Sequence, residues 1–361
     1  MFSRTAALSL VALGLSATLA PVTPSHSSTI HEEISLIANV ESTQTGTAVL
    51  VGGTGMPTIP ENLVTALQEV FIHPQFGDRY NNIVNLTTPQ QFSGQSYVEG
   101  RDILLHQLST MPGEDTLVFG VSQGAGILGM SIRSMENNPL PGVEPQDLHF
   151  VALAPPTFPG YDGGWGLFQQ PFIEPLMSLV FGSEVTQAFP VGSDYTTDIY
   201  YGVYDPISDL PTWALFNPVA LMNSIAAMFT IHLGYTGLTE HEVNSAVLVS
   251  QIGSTREFEM PTSILPVLSP ITSIAPLYDL LEPATRVIVN SAYENLNHGE
   301  VLANGERAPF LAATPINFAE SFSEAVIQGV TNSLDNLCGS ESTASESTIA
   351  DFPIDLPHVG L

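Results

Sequence analysis

The chain has 361 residues, 44% of them hydrophobic and 12% charged; seven arginines and no lysine face 36 acidic residues, for a formal net charge of −29. So acidic a chain repels nucleic acid and excludes that partner class; the charge otherwise reads as a solvated surface. Cys338 is the only cysteine, which excludes an internal disulfide and a cysteine-based zinc site.

Met-Phe-Ser-Arg4 is followed by a nearly unbroken apolar run to Ala20, closed by small residues. This is the pattern of a secretory signal over residues 1–20, with an uncleaved anchor as the alternative, and it predicts export. Residues 21–44 show no period and read as a linker. Thr47 to Val51 is the first predicted strand, running into Gly52-Gly53-Thr54-Gly55-Met56-Pro57. That loop lacks the lysine and the spacing of a phosphate cradle. It reads either as an ordinary strand-to-helix turn or, in a serine hydrolase, as half of an oxyanion hole with Thr54 as donor. Ile83 to Leu86 predicts a second strand, and Tyr97 to Leu108 a helix.

Leu117-Val118-Phe119 then suits a strand buried on both faces, and Gly120-Val121-Ser122-Gln123-Gly124 follows as a G-x-S-x-G pentapeptide leading into helix-compatible residues. Strand, pentapeptide and helix in that order form the context of a nucleophile elbow, in which a strained turn presents the serine outward. Residues two before and two after the serine must be small, as Gly120 and Gly124 are, because strand and helix crowd each other there. Ser122 is the candidate nucleophile, and the backbone N–H of Gln123, at a helix N-terminus, faces a developing oxyanion.

His149 to Ala154 predicts another strand. Residues 157–195 mix Gly, Pro and aromatics without a period and suggest an inserted cap. Thr197 to Tyr204 returns to strand character and ends at Asp205-Pro206-Ile207-Ser208-Asp209. From Asp209 to His232 the chain is strongly apolar, either a core helix or a lid and acyl-chain channel with Trp213 and Phe216 as candidate substrate contacts. Thr239-Glu-His-Glu242 predicts a capped helix start; it does not match H-E-x-x-H, so no metal site is expected. Glu257 to Pro276 reads as irregular, Arg286 to Val289 as the last strand of the sheet, and Asn317 to Asn336 as a helix before an acidic tail. These elements predict an α/β fold: a mostly parallel sheet covered by helices on both faces over residues 45–300, with cap or lid insertions, then a C-terminal helix and tail over 301–361.

A serine nucleophile needs a base oriented by a carboxylate, in the chain order Ser, Asp or Glu, His. Asp205 stands at a strand end, with Asp209 as its rival; His232, His241 and His298 are the candidate bases. His298 lies in a polar stretch whose plain reading is a solvent-exposed surface histidine.

These residues carry a resemblance. Gly52-Gly-Thr-Gly55, Phe119-Gly-Val-Ser122-Gln-Gly, Tyr204-Asp205-Pro-Ile-Ser-Asp-Leu-Pro211 and Ile231-His232-Leu-Gly-Tyr235 come in the order seen in the mycobacterial-type PE-PPE domain, a cutinase-like serine hydrolase of the α/β-hydrolase superfamily. The chain resembles that family over about residues 45–295, and where a repetitive region often precedes the domain, residues 1–20 read instead as a plain export signal. By position the resemblance implies Ser122 as nucleophile, Asp205 as orienting acid and His232 as base, with Thr54 and Gln123 at the oxyanion positions. It further implies a secreted, cofactor-free esterase or lipase acting on acyl esters in an actinobacterial cell envelope. The alternative it allows is an envelope acyltransferase that moves acyl chains onto a glycolipid such as an acyltrehalose.

Overall fold

An unbroken apolar strand needs cover on both sides, and the residues leading to Ser122 receive it: Leu117, Val118 and Phe119 are fully buried. A computed structural model describes residues 45–160 and 163–338. The expected export signal, the linker and the tail beyond Cys338 lie outside the described residues. In chain order the first half contains β1 (Thr47–Val51), α1 (Glu61–Leu67), β2 (Asn82–Leu86), α2 (Gly94–Ser109), β3 (Thr116–Val121), α3 (Gln123–Asn137) and β4 (Leu148–Leu153). Then come β5 (Gly164–Trp165), α4 (Glu174–Phe181), β6 (Thr196–Gly202), β7 (Leu210–Pro211), α5 (Pro218–Ala227), α6 (Glu240–Asn244), β8 (Val247–Ile252), β9 (Thr255–Met260), α7 (Ala275–Ser291) and α8 (Pro315–Cys338).

The main sheet runs β2-β1-β3-β4-β6-β9-β8. Every neighbouring pair is parallel except the last, where β8 turns back antiparallel on β9. Side chains alternate between two cores. Val49, Val118 and Phe150 pack with Leu104, Ile127 and Leu128 on one face. Ala48, Leu50, Leu117 and Phe119 pack with Phe71 and Ile72 on the other. Full burial of a side chain such as Phe119 contributes roughly 1.5–3 kcal/mol. The architecture is the α/β-hydrolase fold. The chain leaves β1 towards β2 on one side and returns to β3 on the other, which opens a crevice beyond the carboxyl ends of β1 and β3. The loops after those two strands carry Thr54 and Ser122.

Two expectations fail on the far half of the sheet. Arg286 to Val289 is not a strand; it lies inside α7. The β-branched run Val287-Ile288-Val289 suggests a strand locally, but Leu277, Leu280, Leu281 and Ile288 recur at helical spacing, and α8 packs along that helix. The parallel strand beside β6 is instead β9, Thr-Arg-Glu-Phe-Glu-Met, whose last four residues open the stretch expected to be irregular. It hides from a hydropathy pattern because Glu257 and Glu259 point inward and are buried. Within the expected cap, β5 pairs antiparallel with β7, and Trp165 Nε1–H donates to Thr212 Oγ1 at 2.9 Å. These contacts tie the cap to the segment that follows Asp205.

Candidate active site

Ser122 sits between β3 and α3 with φ 54° and ψ −115°. This left-handed conformation is strained for a side-chain-bearing residue and is held by its N–H donating to the Leu153 carbonyl at 2.8 Å. The flanking glycines are needed for space. A Cβ on Gly120 would lie 2.7 Å from the Gly124 carbonyl carbon, and one on Gly124 would lie 2.4 Å from the Val51 oxygen.

His232 reaches this serine from α5. The helix passes through a π turn at Met228–His232 and then a 3-10 stretch at Leu233–Gly237. The extra residue of the π turn shifts the helical register so that His232 and Tyr235 both face the end of β6. His232 Nε2 lies 3.0 Å from Ser122 Oγ, and Nδ1 lies 3.0 Å from both carboxylate oxygens of Asp205. A carboxylate only accepts, so Nδ1–H is the donor, which leaves the Nε2 lone pair facing the serine hydroxyl.

Asp205 is fully buried, and a buried carboxylate needs partners. Beyond His232 it accepts from the Ile207 N–H at 2.8 Å and from the Tyr235 hydroxyl at 2.6 Å. Tyr235 also accepts the Gly202 N–H at 2.9 Å. Burial and the neighbouring Asp205 charge push the Tyr235 phenol well above its ordinary pKa, so it remains a donor. The sequence reading assigns Tyr235 no role. Its signal is position: three residues after His232 on one helical face.

Gln123 and Thr54 are also brought together. Thr54 Oγ1–H donates to Gln123 Oε1 at 2.8 Å, while Gln123 Nε2 donates to the Gln91 carbonyl at 3.1 Å and Ser96 Oγ at 3.0 Å. The buried Gln123 side chain thus pins the loop after β1 and the loop before α2 to the start of α3. As the first residue of a helix, Gln123 has a main-chain N–H with no intrahelical acceptor. The loop after β1 passes close by: a Cβ on Gly53 would lie 3.4 Å from the Ser122 Cβ.

Beside Ser122 opens a cavity of about 380 Å³ lined mainly by apolar side chains. Its wall comes from Met56, Ile59, Leu63, Leu67 and Phe71, with Phe92 from the loop before α2 and Met228 and Leu233 from the helical run bearing His232. Trp213 and Phe216, expected to touch substrate, do not line it. They are exposed and pack on Phe172, with ring centroids 5.4 and 5.3 Å away. From the segment Asp209 to His232, expected as a lid or acyl-chain channel, only Met228 and His232 reach the cavity; much of the remaining wall comes from α1 and the π turn Gln68–Ile72 that extends it.

The rival residues form a second pair. Asp209 Oδ2 accepts from His298 Nε2–H at 2.8 Å and from the Tyr204 N–H at 2.7 Å. His298 is buried, not exposed as expected, and its ring stacks on Tyr293 at 3.7 Å. The polar stretch around it is turned inward by Asn290 and Asn295, whose side chains bond main-chain groups of that stretch. His241 lies on α6, in the first turn opened by the Thr239–Glu242 capping box. Among the described residues no His/Cys/Asp/Glu group could hold a metal ion.

Residues 54–294 match the PE-PPE domain family model. The chain is 30% identical over 277 residues to the protein named esterase PE16 of Mycobacterium tuberculosis, covering 71% of this chain and 50% of that one. It is 29% identical over 303 residues to the PE family protein PE3 of the same species, covering 78% of this chain and 62% of that one. The chain therefore spans about half to three-fifths of the length of these relatives. Among solved structures, a type II thioesterase from the borrelidin biosynthetic cluster aligns with 60% of this chain and 82% of its own at 13% identity and a TM-score of 0.27, too thin to inform function. With two-thirds of its length inside the family model, the chain belongs to the PE-PPE domain family.

Proposed function

We propose that this protein is a serine esterase or lipase that cleaves carboxylic acyl esters. The observation that carries the reading is the continuous hydrogen-bonded chain Ser122–His232–Asp205, each link at 3.0 Å, beside an apolar cavity of about 380 Å³. The esterase name of the 30% identical relative points the same way.

In the proposed reaction the acyl chain lies in the cavity with its ester carbonyl against Ser122 Oγ. His232 Nε2 takes the hydroxyl proton as Oγ attacks, and Asp205 holds the imidazole ring and balances the imidazolium. The carbonyl oxygen becomes an oxyanion near the N–H groups of Gln123 and Thr54. His232 returns its proton to the leaving alcohol, which departs as the carbonyl re-forms on the acyl-enzyme. Water, deprotonated by the same nitrogen, attacks the acyl-enzyme; the fatty acid leaves and Oγ regains its proton.

The test is a p-nitrophenyl ester series on purified wild type and Ser122→Ala. The expected result is saturable hydrolysis, a loss of about 10⁴-fold or more in the variant, and single labelling of the wild type by a fluorophosphonate. Near wild-type turnover by Ser122→Ala would reject the mechanism.

A further inference from the structure

We infer that the surface surrounding the cavity mouth is a docking face for an uncharged lipid–water interface. Single exposed leucines are ordinary on a protein surface; a connected patch is not. Here ring contacts and continuity of the chain link the residues. Phe92, which lines the cavity, is 66% exposed, and its ring meets Phe181 at 4.7 Å. Phe181, itself buried, ends α4, whose Leu176, Leu179 and Val180 point to solvent, Leu179 being 82% exposed. Phe172, just before α4, packs on Trp213 and Phe216. Asn217 then caps α5, which carries exposed Met222 and Ile225 to Phe229 (69% exposed) and to Leu233, again at the cavity. The circuit begins and ends at the site beside Ser122.

The helical run Pro218–Gly237 is long and apolar enough to cross a membrane, yet only 28% of its most apolar window is buried. Its His232 is bonded to Ser122, so the run lies along the molecule, not across a bilayer. An apolar helix laid flat on a surface is suited to the boundary between headgroups and acyl chains.

Charge selects the occupant. In a chain of net charge −29, no Asp, Glu, Lys or Arg occurs between Leu86 and Val98 or between Leu210 and Thr239, and Glu174 is the single one between Gly164 and Gly182. No cation stands on these segments to hold a phosphate-rich surface, and the molecule as a whole is repelled by anionic lipid. A second copy brings the same −29 to the contact. A neutral ester-lipid surface meets neither objection, and it would present acyl chains where the cavity opens. Docking itself does not depend on the hydrolase reading; only its purpose does.

The experiment uses the full chain carrying Ser122→Ala, so that turnover plays no part, and measures flotation with trioleoylglycerol droplets coated with phosphatidylcholine. The protein is expected to float, and Leu179→Ser/Ile225→Ser/Phe229→Ser, none of which lines the cavity, is expected to lower partitioning about 10-fold or more. The same triple change on the Ser122 background should leave hydrolysis of a dissolved short-chain ester within about 2-fold, which also reports folding. Should the triple variant lose that activity, Leu179→Ser alone, at the most exposed position, is scored for flotation. Undiminished flotation of the variants overturns the proposal, because another segment then carries binding. So does stronger recruitment to phosphatidylglycerol-coated droplets, or a dimer in sedimentation that the triple change dissolves while wild type ignores neutral droplets.

Discussion

The hydroxyl of Tyr235 donates to Asp205 Oδ2 at 2.6 Å while accepting the N–H of Gly202 at 2.9 Å. One phenol thereby joins the end of β6 to the buried carboxylate that holds His232.

Tyr235→Phe removes that donor and leaves both the carboxylate and the Gly202 N–H short of a partner. A hydrogen bond to a charged group contributes about 1.5–3 kcal/mol, so kcat/KM should fall about 10- to 100-fold. Because the phenol stays protonated, the loss should be the same across the neutral range. An unchanged kcat/KM would remove Tyr235 from the positioning of Asp205.

Gly124→Ala should impair folding and catalysis together. The added Cβ would lie 2.4 Å from the Val51 oxygen and 2.6 Å from the Gly52 oxygen. Backbone cannot yield there without lifting α3 from the sheet and moving Gln123 away from the loop after β1. Overpacking of this kind costs roughly 1–3 kcal/mol, measurable by denaturant titration, and turnover should fall by more than the lost stability explains.

The elbow was legible because steric needs act within a few residues: Gly120, Ser122 and Gly124 satisfy them locally, and the order of strand and helix around them follows from hydropathy. The parallel sheet was legible for the same reason through β6. Legibility ended where burial is polar. β9 puts Glu257 and Glu259 inside, where Arg307 meets Glu259 at 2.5 Å, and no local pattern announces a partner 48 residues away. His298 reads as exposed because its neighbours are polar, but Asn290 and Asn295 fold that stretch inward and the ring meets Asp209, distant in sequence. The cavity wall is not legible because it gathers residues from separate loops with α1 and the π turn after it, and a regular 3.6-residue period does not describe the register of that turn.

Chain-length preference should follow the cavity. Each methylene buried contributes about 0.8 kcal/mol, so kcat/KM should rise by up to about 4-fold per methylene until the cavity is full. Ala66, on its wall, is the place to shorten it. Ala66→Phe should lower turnover of long-chain esters while sparing acetyl esters. Equal losses on both would mean that the acyl chain lies elsewhere.

Stability should respond to pH through Glu257. Desolvation raises its pKa, with a smaller opposing effect from a Ser250 hydrogen bond. A carboxyl with a folded pKa above its unfolded value binds more protons in the folded state. Its contribution to stability is therefore present at low pH and is lost as pH rises through the folded value. Glu257→Gln should unfold at a higher temperature than wild type at pH 7–8, with the advantage shrinking as pH falls towards the ordinary carboxylate range. A pH-independent difference would show that packing, not ionisation, sets the effect.

The two His–Asp pairs should separate cleanly on mutation. His232 faces Ser122, whereas His298 lies behind the Tyr204–Asp209 turn. The Arg307 guanidinium can only donate, so at 3.3 Å His298 Nδ1 accepts from it and the ring proton sits on Nε2, directed at Asp209. Asp209 in turn accepts the N–H of Tyr204, held at φ 72° immediately before Asp205. His298→Ala strips a buried carboxylate of this donor and opens a gap against Tyr293, a change of the kind that costs about 3–5 kcal/mol. Activity should then fall partway, because the turn holding Asp205 is left less firmly fixed. His232→Ala also takes a donor from buried Asp205, but the Ile207 N–H and the Tyr235 hydroxyl remain on that carboxylate, so stability should fall less than in His298→Ala while turnover is abolished, since the imidazole is bonded to the reacting hydroxyl. Paired denaturation and ester-hydrolysis measurements decide between the two. If His298→Ala abolished turnover in a fully stable protein while His232→Ala retained it, the base would be His298, and the hydrogen-bonded chain through Ser122 would not be the catalytic one.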